Sequence, residues 1–597
     1  MPSRIVPAFF ALFAFGLAVV DQPCRVQSAA EADVSEHPQL RRPVAIVAVD
    51  RWVYVANRRS GTISVIDAKR QTVIGEQKIG GMLAGLVATP DGRFLLVLDE
   101  EHNQLLAIRR GAASLRIVGR VDVPPSPSHI DLSADGKLCA VTSRWPRRLT
   151  FVEIAQQKGP SDNRPVALTV RDTLDLPFAP GVLRFVQNDR RLIAADAFGG
   201  RLAVVDAVKR ELLAVHVILG HNIRGLSASH DGRELHVPHQ LLDANSTTTH
   251  EHVFWGGVMK NFVRSIPFDK LLASAITDDS LRGDIYPLGH PSGAAGDPGT
   301  LLVTTRGEAA LVLSGVDQIG LRRRPIEPFV RREVGRRPTA LCLSPDERML
   351  YVANMLDDSI SVVDMDTLQV GKTISLGPQP TLQSVDRGER LFYDARLSLD
   401  GWYSCHSCHT DGHTNNLLND NFGDDYFGDP KRVPSLLGTG RTHPWTWTGK
   451  TLSLEKQIHK SITVTMQGEQ PSVQTTRDLA AFLRTLEPPP ALSVARRTVN
   501  RQEARRGRQV FEQRGCIDCH APPAYTTPET YDVGLSDKSG NKQFNPPSLL
   551  GVSQRRPYFH DNRAKSLRDV LTRHRHQLDQ PLPEAQLKSL LEFLRSL

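Results

Sequence analysis

Residues 405–409, Cys-His-Ser-Cys-His, are repeated as residues 516–520, Cys-Ile-Asp-Cys-His. In such a C-x-x-C-H motif the two thiols lie one helical turn apart and can bond to the vinyl groups of a haem, and the histidine lies beneath the iron. The predicted attachment residues are Cys405, Cys408, Cys516 and Cys519, with His409 and His520 as iron ligands. A zinc site or a thioredoxin-like motif is the alternative, but neither explains a histidine in the same place twice.

The duplication extends well beyond these motifs. Pro434-Ser-Leu-Leu-Gly438 recurs as Pro547-Ser-Leu-Leu-Gly551, and Phe482-Leu-Arg-Thr-Leu486 recurs as Phe593-Leu-Arg-Ser-Leu597. Segments such as LSLEKQIHKSI and EAQLKSLLEFLRSL have helical periodicity. The pattern predicts two α-helical, class-I-like cytochrome c domains, at residues 384–487 and 498–597, joined by a proline-rich linker.

The N-terminal half is a different kind of repeat. RWVYVANRRSGTISVIDAKRQTVIG, from Arg51, is similar to RMLYVANMLDDSISVVDMDTLQVGK, from Arg348, and weaker copies with Asp-Gly turns lie between them. Short strands recurring every 40 to 45 residues are typical of β-propellers. The spacing predicts an all-β propeller of seven blades over residues 43–378, and YVAN and SPDERMLYVAN resemble the YVTN-type propeller family.

One segment interrupts the strand rhythm. It spans about residues 239–265 and brings together His239, His250, His252 and Trp255. The histidine spacing matches no standard zinc pattern. We therefore expect this insertion to contact the haem domains or a partner, with a metal site as the alternative.

The N-terminus predicts export. Arg4 precedes an apolar run from Ile5 to Val20, and the small residues Ser28, Ala29 and Ala30 follow. This is typical of a signal peptide covering residues 1–30, with an uncleaved anchor as the alternative. We expect a periplasmic or otherwise exported protein without a membrane span once the signal is removed. A net charge of +8 is modest for 597 residues, and export argues against a nucleic-acid partner.

The haem region resembles a known family. GERLFYDARLSLDGWYSCHSCH, RVPSLLGTG, WTGKTLSLEKQ, GRQVFEQRGCIDCH and PPSLLGVSQRRPYFHDNRAKSLRDVL are similar to segments of bacterial di-haem cytochrome c peroxidases and MauG-type enzymes. The resemblance implies two covalent c-type haems, the first peroxidatic and the second passing electrons. It also implies an electron-relaying tryptophan, here Trp447, and a calcium ion between the haems, whose ligands the sequence does not assign.

The second iron ligands decide what each haem can do, because an open position admits peroxide whereas two strong ligands favour electron transfer alone. Where the family carries a catalytic glutamate before a methionine, this chain has Thr465 before Met466, and Glu469 is the nearest substitute. Met466 is a candidate ligand of the first iron. His574 and His576 are the candidates for the second.

These features predict a di-haem oxidoreductase that uses hydrogen peroxide or another oxidant at one haem and passes electrons through the other. Its partner would be a small redox protein or a protein substrate. The main alternative is a non-catalytic electron carrier in which the propeller is a docking platform. A catalytic propeller is a third, weaker interpretation, because no cluster of acids or metal ligands recurs across the blades.

Overall fold

The computed structural model describes residues 38–111, 114–156, 165–273, 285–287, 296–324 and 327–597. The predicted signal peptide lies outside these residues. In the part of the chain that is described, no helix combines the length and the apolar character needed to cross a membrane.

The N-terminal half is a seven-bladed β-propeller, as predicted. Each blade is an antiparallel sheet of four consecutive strands. The strands of blades 1 to 4 are β1–β4 (Pro43–Val49, Trp52–Asn57, Thr62–Asp67, Thr72–Lys78), β5–β8 (Leu83–Ala88, Phe94–Asp99, Gln104–Arg110, Leu115–Asp122), β9–β12 (Pro127–Leu132, Leu138–Ser143, Arg148–Gln156, Val166–Asp175) and β13–β16 (Pro180–Val186, Arg191–Asp196, Arg201–Asp206, Glu211–Val217). Those of blades 5 to 7 are β17–β20 (Ser227–Ala228, Glu234–Leu242, Met259–Pro267, Ile285–Pro287), β21–β24 (Pro298–Val303, Ala309–Leu313, Gln318–Arg322, Val330–Glu333) and β25–β28 (Pro338–Leu343, Met349–Asn354, Ser359–Asp364, Gln369–Ser375).

The ring closes by packing blade 1 against blade 7. Val53 and Val55 of β2 share one buried cluster with Tyr351 and Ile360 of the last blade. In most blades the second and third strands are buried on both faces, which explains their near-continuous apolar runs. Cys139 and Cys342 lie in the propeller strands as buried free thiols, as their apolar neighbours predict.

The insertion in blade 5 is short. Strands β18 and β19 occupy both ends of the predicted segment, so the residues between them are 243–258, which include helix α1 (His250–Phe254). A second short helix, α2 (Phe268–Leu272), follows β19. The insertion contacts the haem-motif region, because Trp402 Nε1 donates to the Phe254 carbonyl at 3.2 Å and Thr248 N donates to the Asp420 carbonyl at 3.0 Å.

The C-terminal part consists of two helical units with the same arrangement. The first contains α3 (Ser384–Phe392), α4 (Cys405–Cys408), α5 (Leu454–Lys460), a π-helical turn (Ser461–Thr465) and α6 (Val473–Leu483). After α7 (Leu492–Ala495), the second contains α8 (Arg501–Gln513), α9 (Cys516–Cys519), α10 (Leu567–Leu571) and α11 (Glu584–Ser596). Two-stranded ladders lie at equivalent places, β29 (Leu418–Asn419) with β30 (Lys431–Arg432) and β31 (Tyr531–Asp532) with β32 (Gln543–Phe544).

A glycine marks the same helix crossing in both units. A Cβ on Gly388 of α3 would lie 1.9 Å from the Asp478 carbonyl oxygen of α6, and one on Gly507 of α8 would lie 2.0 Å from the Ser589 carbonyl oxygen of α11. Only glycine permits so close an approach of two helix backbones. The duplication seen in the sequence is therefore a duplication of tertiary packing.

One face of the propeller carries both helical units. This face is formed by the turns between second and third strands and by the linkers between blades. Arg59, in the β2–β3 turn, pairs with Asp386 of α3 at 2.6 Å, and Arg147, in the β10–β11 turn, donates to Gln554 Oε1 of the second unit at 3.1 Å. The propeller and the haem-motif region therefore pack directly against each other.

Candidate functional site

Both C-x-x-C-H motifs line one cavity of about 720 Å³. Each motif forms a single helical turn, α4 or α9, which places its two thiols on the cavity wall. Ser404 precedes α4, and its backbone N–H donates to Ser407 Oγ at 2.9 Å, whereas Gly515 precedes α9 with φ +71°. The cavity is predominantly apolar, as expected of a site for a large planar cofactor.

The two motif histidines are held as neutral rings. His409 Nδ1 donates to the Pro434 carbonyl oxygen at 2.9 Å, and His520 Nδ1 donates to the Tyr525 carbonyl oxygen at 3.2 Å. Burial lowers the pKa of His409 to about 4. Burial and, to a smaller extent, the neighbouring His576 lower the pKa of His520 to about 4. With Nδ1 carrying the proton, Nε2 of each ring is free to bind iron.

The thiols do not have the character of redox-active or metal-binding cysteines. All four are free, and burial raises the pKa of both Cys405 and Cys408 to about 12 and that of Cys516 to about 11. A thioredoxin-like motif instead lowers the pKa of its attacking thiol. The paired thiols, the adjacent imidazoles and the cavity fit covalently attached haem at both motifs.

The predicted second ligand of the first iron lies on the cavity wall. Met466 is only 4% exposed and lines the cavity directly after the π-helical turn, as does Thr465, the last residue of that turn. Glu469 is exposed and is not among the residues that line the cavity. Its position therefore gives no support to a catalytic role, which stays a prediction.

The structure separates the two histidine candidates in the second unit. His576 lines the cavity and His574 does not, although both rings contact Phe559 with centroids 5.5 Å apart. His574 Nε2 and His576 Nδ1 are both buried without a hydrogen-bond partner among the described residues. Only His576 combines such an unpartnered nitrogen with a place on the cavity wall, so it is the one of the two histidines that is available to a group bound in the cavity.

Trp447 lies where the two units meet. Its Nε1 donates to the Arg432 carbonyl at 2.8 Å, its own carbonyl accepts from Asn545 N of the second unit at 2.9 Å, and its ring centroid is 6.5 Å from that of His560. His560 is the counterpart of Trp447 in the second repeat and also lines the cavity. The signal for His560 in the sequence is its distance from Pro557, which equals the distance of Trp447 from Pro444.

The carboxylates between the units do not form an obvious calcium site. Among the described residues, one group of carboxylates is close enough to hold a metal, namely Asp424, Asp429 and Asp537, with oxygen atoms within 4.8 Å of one another. Lys431 already lies among them, with Nζ in contact with Asp424, 2.9 Å from Asp429 and 3.3 Å from Asp537. Because an ammonium group occupies the place of a cation, this cluster does not fit calcium.

The histidines of the insertion were the other candidates for a metal site. His239, His250 and His252 belong to no such group in the part of the chain that the structure describes. His239 is buried within β18, whereas His250 and His252 are exposed on α1. The observed contacts of the insertion with the first helical unit instead match the expectation that it meets the haem domains.

Comparisons with known proteins support the two-part architecture. Residues 383–490 match the family described as di-haem cytochrome c peroxidase, and residues 43–180 match the family described as YNCE-like beta-propeller. Cytochrome c551 peroxidase of Nitrosomonas europaea is 26% identical over 263 residues, which cover 35% of this chain and 78% of that protein. Methylamine utilization protein MauG of Methylophilus methylotrophus is 25% identical over 282 residues, which cover 36% of this chain and 83% of that protein. Hydrazine synthase subunit gamma of Kuenenia stuttgartiensis is 26% identical over 274 residues, which cover 35% of this chain and 76% of that protein.

Proposed function

We propose that the chain is an exported di-haem c-type oxidoreductase. It combines a YNCE-like β-propeller with a region of the di-haem cytochrome c peroxidase and MauG kind, which is a group of oxidoreductases. One haem reacts with an oxidant such as hydrogen peroxide, and the other exchanges electrons with a small redox protein or a protein substrate. The protein acts in the periplasm or outside the cell.

A single observation carries this proposal, namely the continuity of the cavity. The two motifs do not lie in separate pockets but line one space of about 720 Å³, and Trp447 lines the same space. Electron transfer between two centres requires such proximity, whereas two independent carriers would not need it. Bound haem would supply one-electron chemistry and, at an open iron position, a place for the oxidant.

The chain's own residues would fix the two haems and the medium between them. Cys405 and Cys408 would anchor the first and Cys516 and Cys519 the second, and the Pro434 and Tyr525 carbonyls would hold the ligand histidines in one tautomer. Trp447 is fixed by hydrogen bonds at both its ring nitrogen and its carbonyl, so its orientation between the units is set by both.

The proposal is tested on the holoprotein purified from an exporting host. Mass spectrometry should find two covalently attached haems, and stopped-flow mixing of the reduced protein with hydrogen peroxide should oxidise one haem quickly and the other afterwards. A protein that carries both haems but reacts with peroxide no faster than free haem c peptide would refute the peroxidase assignment.

A second function, electron transfer without catalysis, is favoured by the positions of Met466 and His576. Both side chains line the cavity, so each is available as a second ligand for the iron of its own unit. The absence of a carboxylate at Thr465 points the same way. Resting-state EPR separates the two functions, because two low-spin irons indicate a carrier and one high-spin iron indicates an open, reactive site.

A further inference from the structure

The two haem-attachment motifs and their flanking residues differ at several positions that do not bind haem, and four of these positions contact the propeller in the first unit. When the motif cysteines are aligned, Ser404, His406, Ser407 and Asp411 of the first correspond to Gly515, Ile517, Asp518 and Pro522 of the second. In the first unit all four side chains can form hydrogen bonds. Their counterparts include a glycine, an isoleucine and a proline, which have no polar side-chain atoms, and one carboxylate.

These differences coincide with a difference in surroundings. Ser404, His406 and Ser407 are at most 4% exposed, because the propeller covers this loop. In the second motif, Asp518 is exposed and Ile517 is partly exposed. The polar residues of the first motif are therefore those that meet the propeller.

Asp411 is held by arginines from three separate places on the ring. Arg224, in the linker between blades 4 and 5, binds both carboxylate oxygens at 2.9 and 3.0 Å, and Arg144, in the β10–β11 turn of blade 3, binds at 3.1 Å. Arg337, just before blade 7, lies 4.0 Å away. We call Arg144, Arg224 and Arg337 the arginine collar. Because its members come from blades spread around the ring, Asp411 lies over the middle of the propeller face.

A second set of contacts fixes the same loop. The carboxylate of Asp297, just before blade 6, accepts hydrogen bonds from Ser407 Oγ and, at 2.7 Å, from Ser404 Oγ. His221 Nε2 donates to the Ser407 carbonyl at 2.9 Å, and Arg224 also contacts His406 Nε2 at 3.0 Å. An aspartate at position 407, as in the second motif, would face Asp297 with a like charge.

We propose that the propeller fixes the position of the first haem-attachment loop and, through the arginine collar, sets the reduction potential of the haem bound there. This inference rests on the proposed function, since it requires haem at both motifs. Positive charge near an iron disfavours its oxidised form and raises its potential. Asp411, which the collar binds, lies two residues beyond the predicted iron ligand His409. Pro522 stands at the place of Asp411 in the second unit and cannot bind such a collar, so the two haems differ in potential although both are attached through a C-x-x-C-H motif.

The test is a spectroelectrochemical titration of the full-length holoprotein and three variants. Arg224→Gln should lower the midpoint potential of one haem and leave the other unchanged. Asp411→Asn should raise the potential of that same haem, because it leaves the collar uncompensated. Arg144→Gln, which removes one hydrogen bond, should lower it by less and gives a milder variant should Asp411→Asn fold poorly.

Arg59→Gln is the matched control. It removes another ion pair between the propeller and the first unit, Arg59 with Asp386, without touching the attachment loop, and should shift neither potential. The inference is overturned if Arg224→Gln and Asp411→Asn shift the potential in the same direction, which indicates mere loosening, or if neither shifts it. If mass spectrometry finds two haems but the variants leave both potentials unchanged, this inference alone is refuted. If the protein carries no covalent haem, the proposed function is refuted as well.

Discussion

His576 is the side chain whose position most constrains the chemistry of the second unit. It lines the cavity with His520, contributes to the lowered pKa of that residue and has a buried ring nitrogen without a partner among the described residues. We therefore expect His576→Ala to convert one low-spin iron to high spin. His574→Ala, at a residue that contacts the same phenylalanine but does not line the cavity, should leave the EPR spectrum unchanged. The reverse result would move the ligand to His574.

Trp447 permits a second experiment at this scale. Trp447→Phe removes the indole between the units and its hydrogen bond to the Arg432 carbonyl but keeps an aromatic ring. Electron exchange between the haems, followed by stopped-flow spectroscopy after partial reduction, should slow several-fold while the spectrum of each haem stays the same. Trp52→Phe, in blade 1, is the control and should have no effect. An unchanged exchange rate in Trp447→Phe would exclude the relay role.

Whether the role of a residue can be predicted from the sequence depends on how far along the chain its binding partners lie. Spacing alone predicts Cys405 and His409 as haem-binding residues, because haem attachment needs only one helical turn. It does not identify Asp411, although this residue lies just beyond His409, because the three arginines of the collar are far away in the sequence. Lys431 escapes prediction for the same reason, since one of its three carboxylates, Asp537, belongs to the other unit.

The packing of α3 against α6, and of α8 against α11, is the helix contact on which the stability of each helical unit depends. At both crossings a glycine allows the helix backbones to touch. Alanine would normally favour a helix by about 1 kcal/mol. Here its Cβ would overlap a carbonyl oxygen, and forced repacking costs about 1–3 kcal/mol or more.

We thus expect Gly388→Ala and Gly507→Ala each to lower the free energy of unfolding by about 1–3 kcal/mol in urea melts. Gly371→Ala, in β28, has only one neighbouring atom within 4 Å among the described residues, the Val362 carbonyl oxygen at 3.9 Å, and should change stability little. Stabilisation by either helix substitution would show that the two helices separate more easily than their close packing indicates.

Elements are predictable where a short-range pattern specifies them. Repeated YVAN strands and Asp-Gly turns indicate seven blades, and the recurrence of the PSLLG and FLR segments indicates two helical units. The bounds of the insertion are harder to predict. Strand β18 continues to Leu242 and β19 begins at Met259, and no sequence pattern marks where a strand extends beyond the length of its repeat. Its contact with the first unit, by contrast, was expected and is observed.

At the scale of the whole molecule, Lys431 ties the two helical units together. Its side chain is 9% exposed and binds two carboxylates of the first unit and one of the second. Removing one partner of a buried charge cluster costs about 3–5 kcal/mol, because the remaining charges are left uncompensated. Lys431→Ala should therefore be strongly destabilised, whereas Lys450→Ala, at an exposed lysine 3.5 Å from Asp425, should lose at most about 1 kcal/mol.

The same cluster predicts the effect of removing metal ions. EDTA should leave the melting temperature of the wild-type holoprotein unchanged, because Lys431 supplies the positive charge. In Lys431→Ala, millimolar calcium should restore part of the lost stability by taking the vacated place. A wild-type protein that loses stability in EDTA would show that a metal ion binds elsewhere between the units.

Acid should weaken the molecule through buried histidines of the propeller. Burial lowers the pKa of His236 to about 4 and that of His239 to about 3, with Arg264 adding to the effect at His239. In the unfolded chain both titrate near pH 6.5. Their contribution to stability is thus fully present above about pH 6.5 and is lost as the pH falls toward 4 or 3. In this range the histidines are protonated in the unfolded state but remain neutral in the folded state.

Each histidine should contribute a loss of about 1.4 kcal/mol per pH unit within this window. Unfolding free energies measured at pH 7.5, 6.5, 5.5 and 5 should therefore fall only below about pH 6.5. In the variant His239→Gln, the unfolding free energy should fall less steeply with pH, because one of the titrating histidines is absent. The lost contacts of His239 should lower the stability of this variant at every pH. His250→Gln, at an exposed position of the insertion, should keep the wild-type slope. A stability that stays flat from pH 7.5 to 5 would mean that these rings gain access to water before the propeller unfolds.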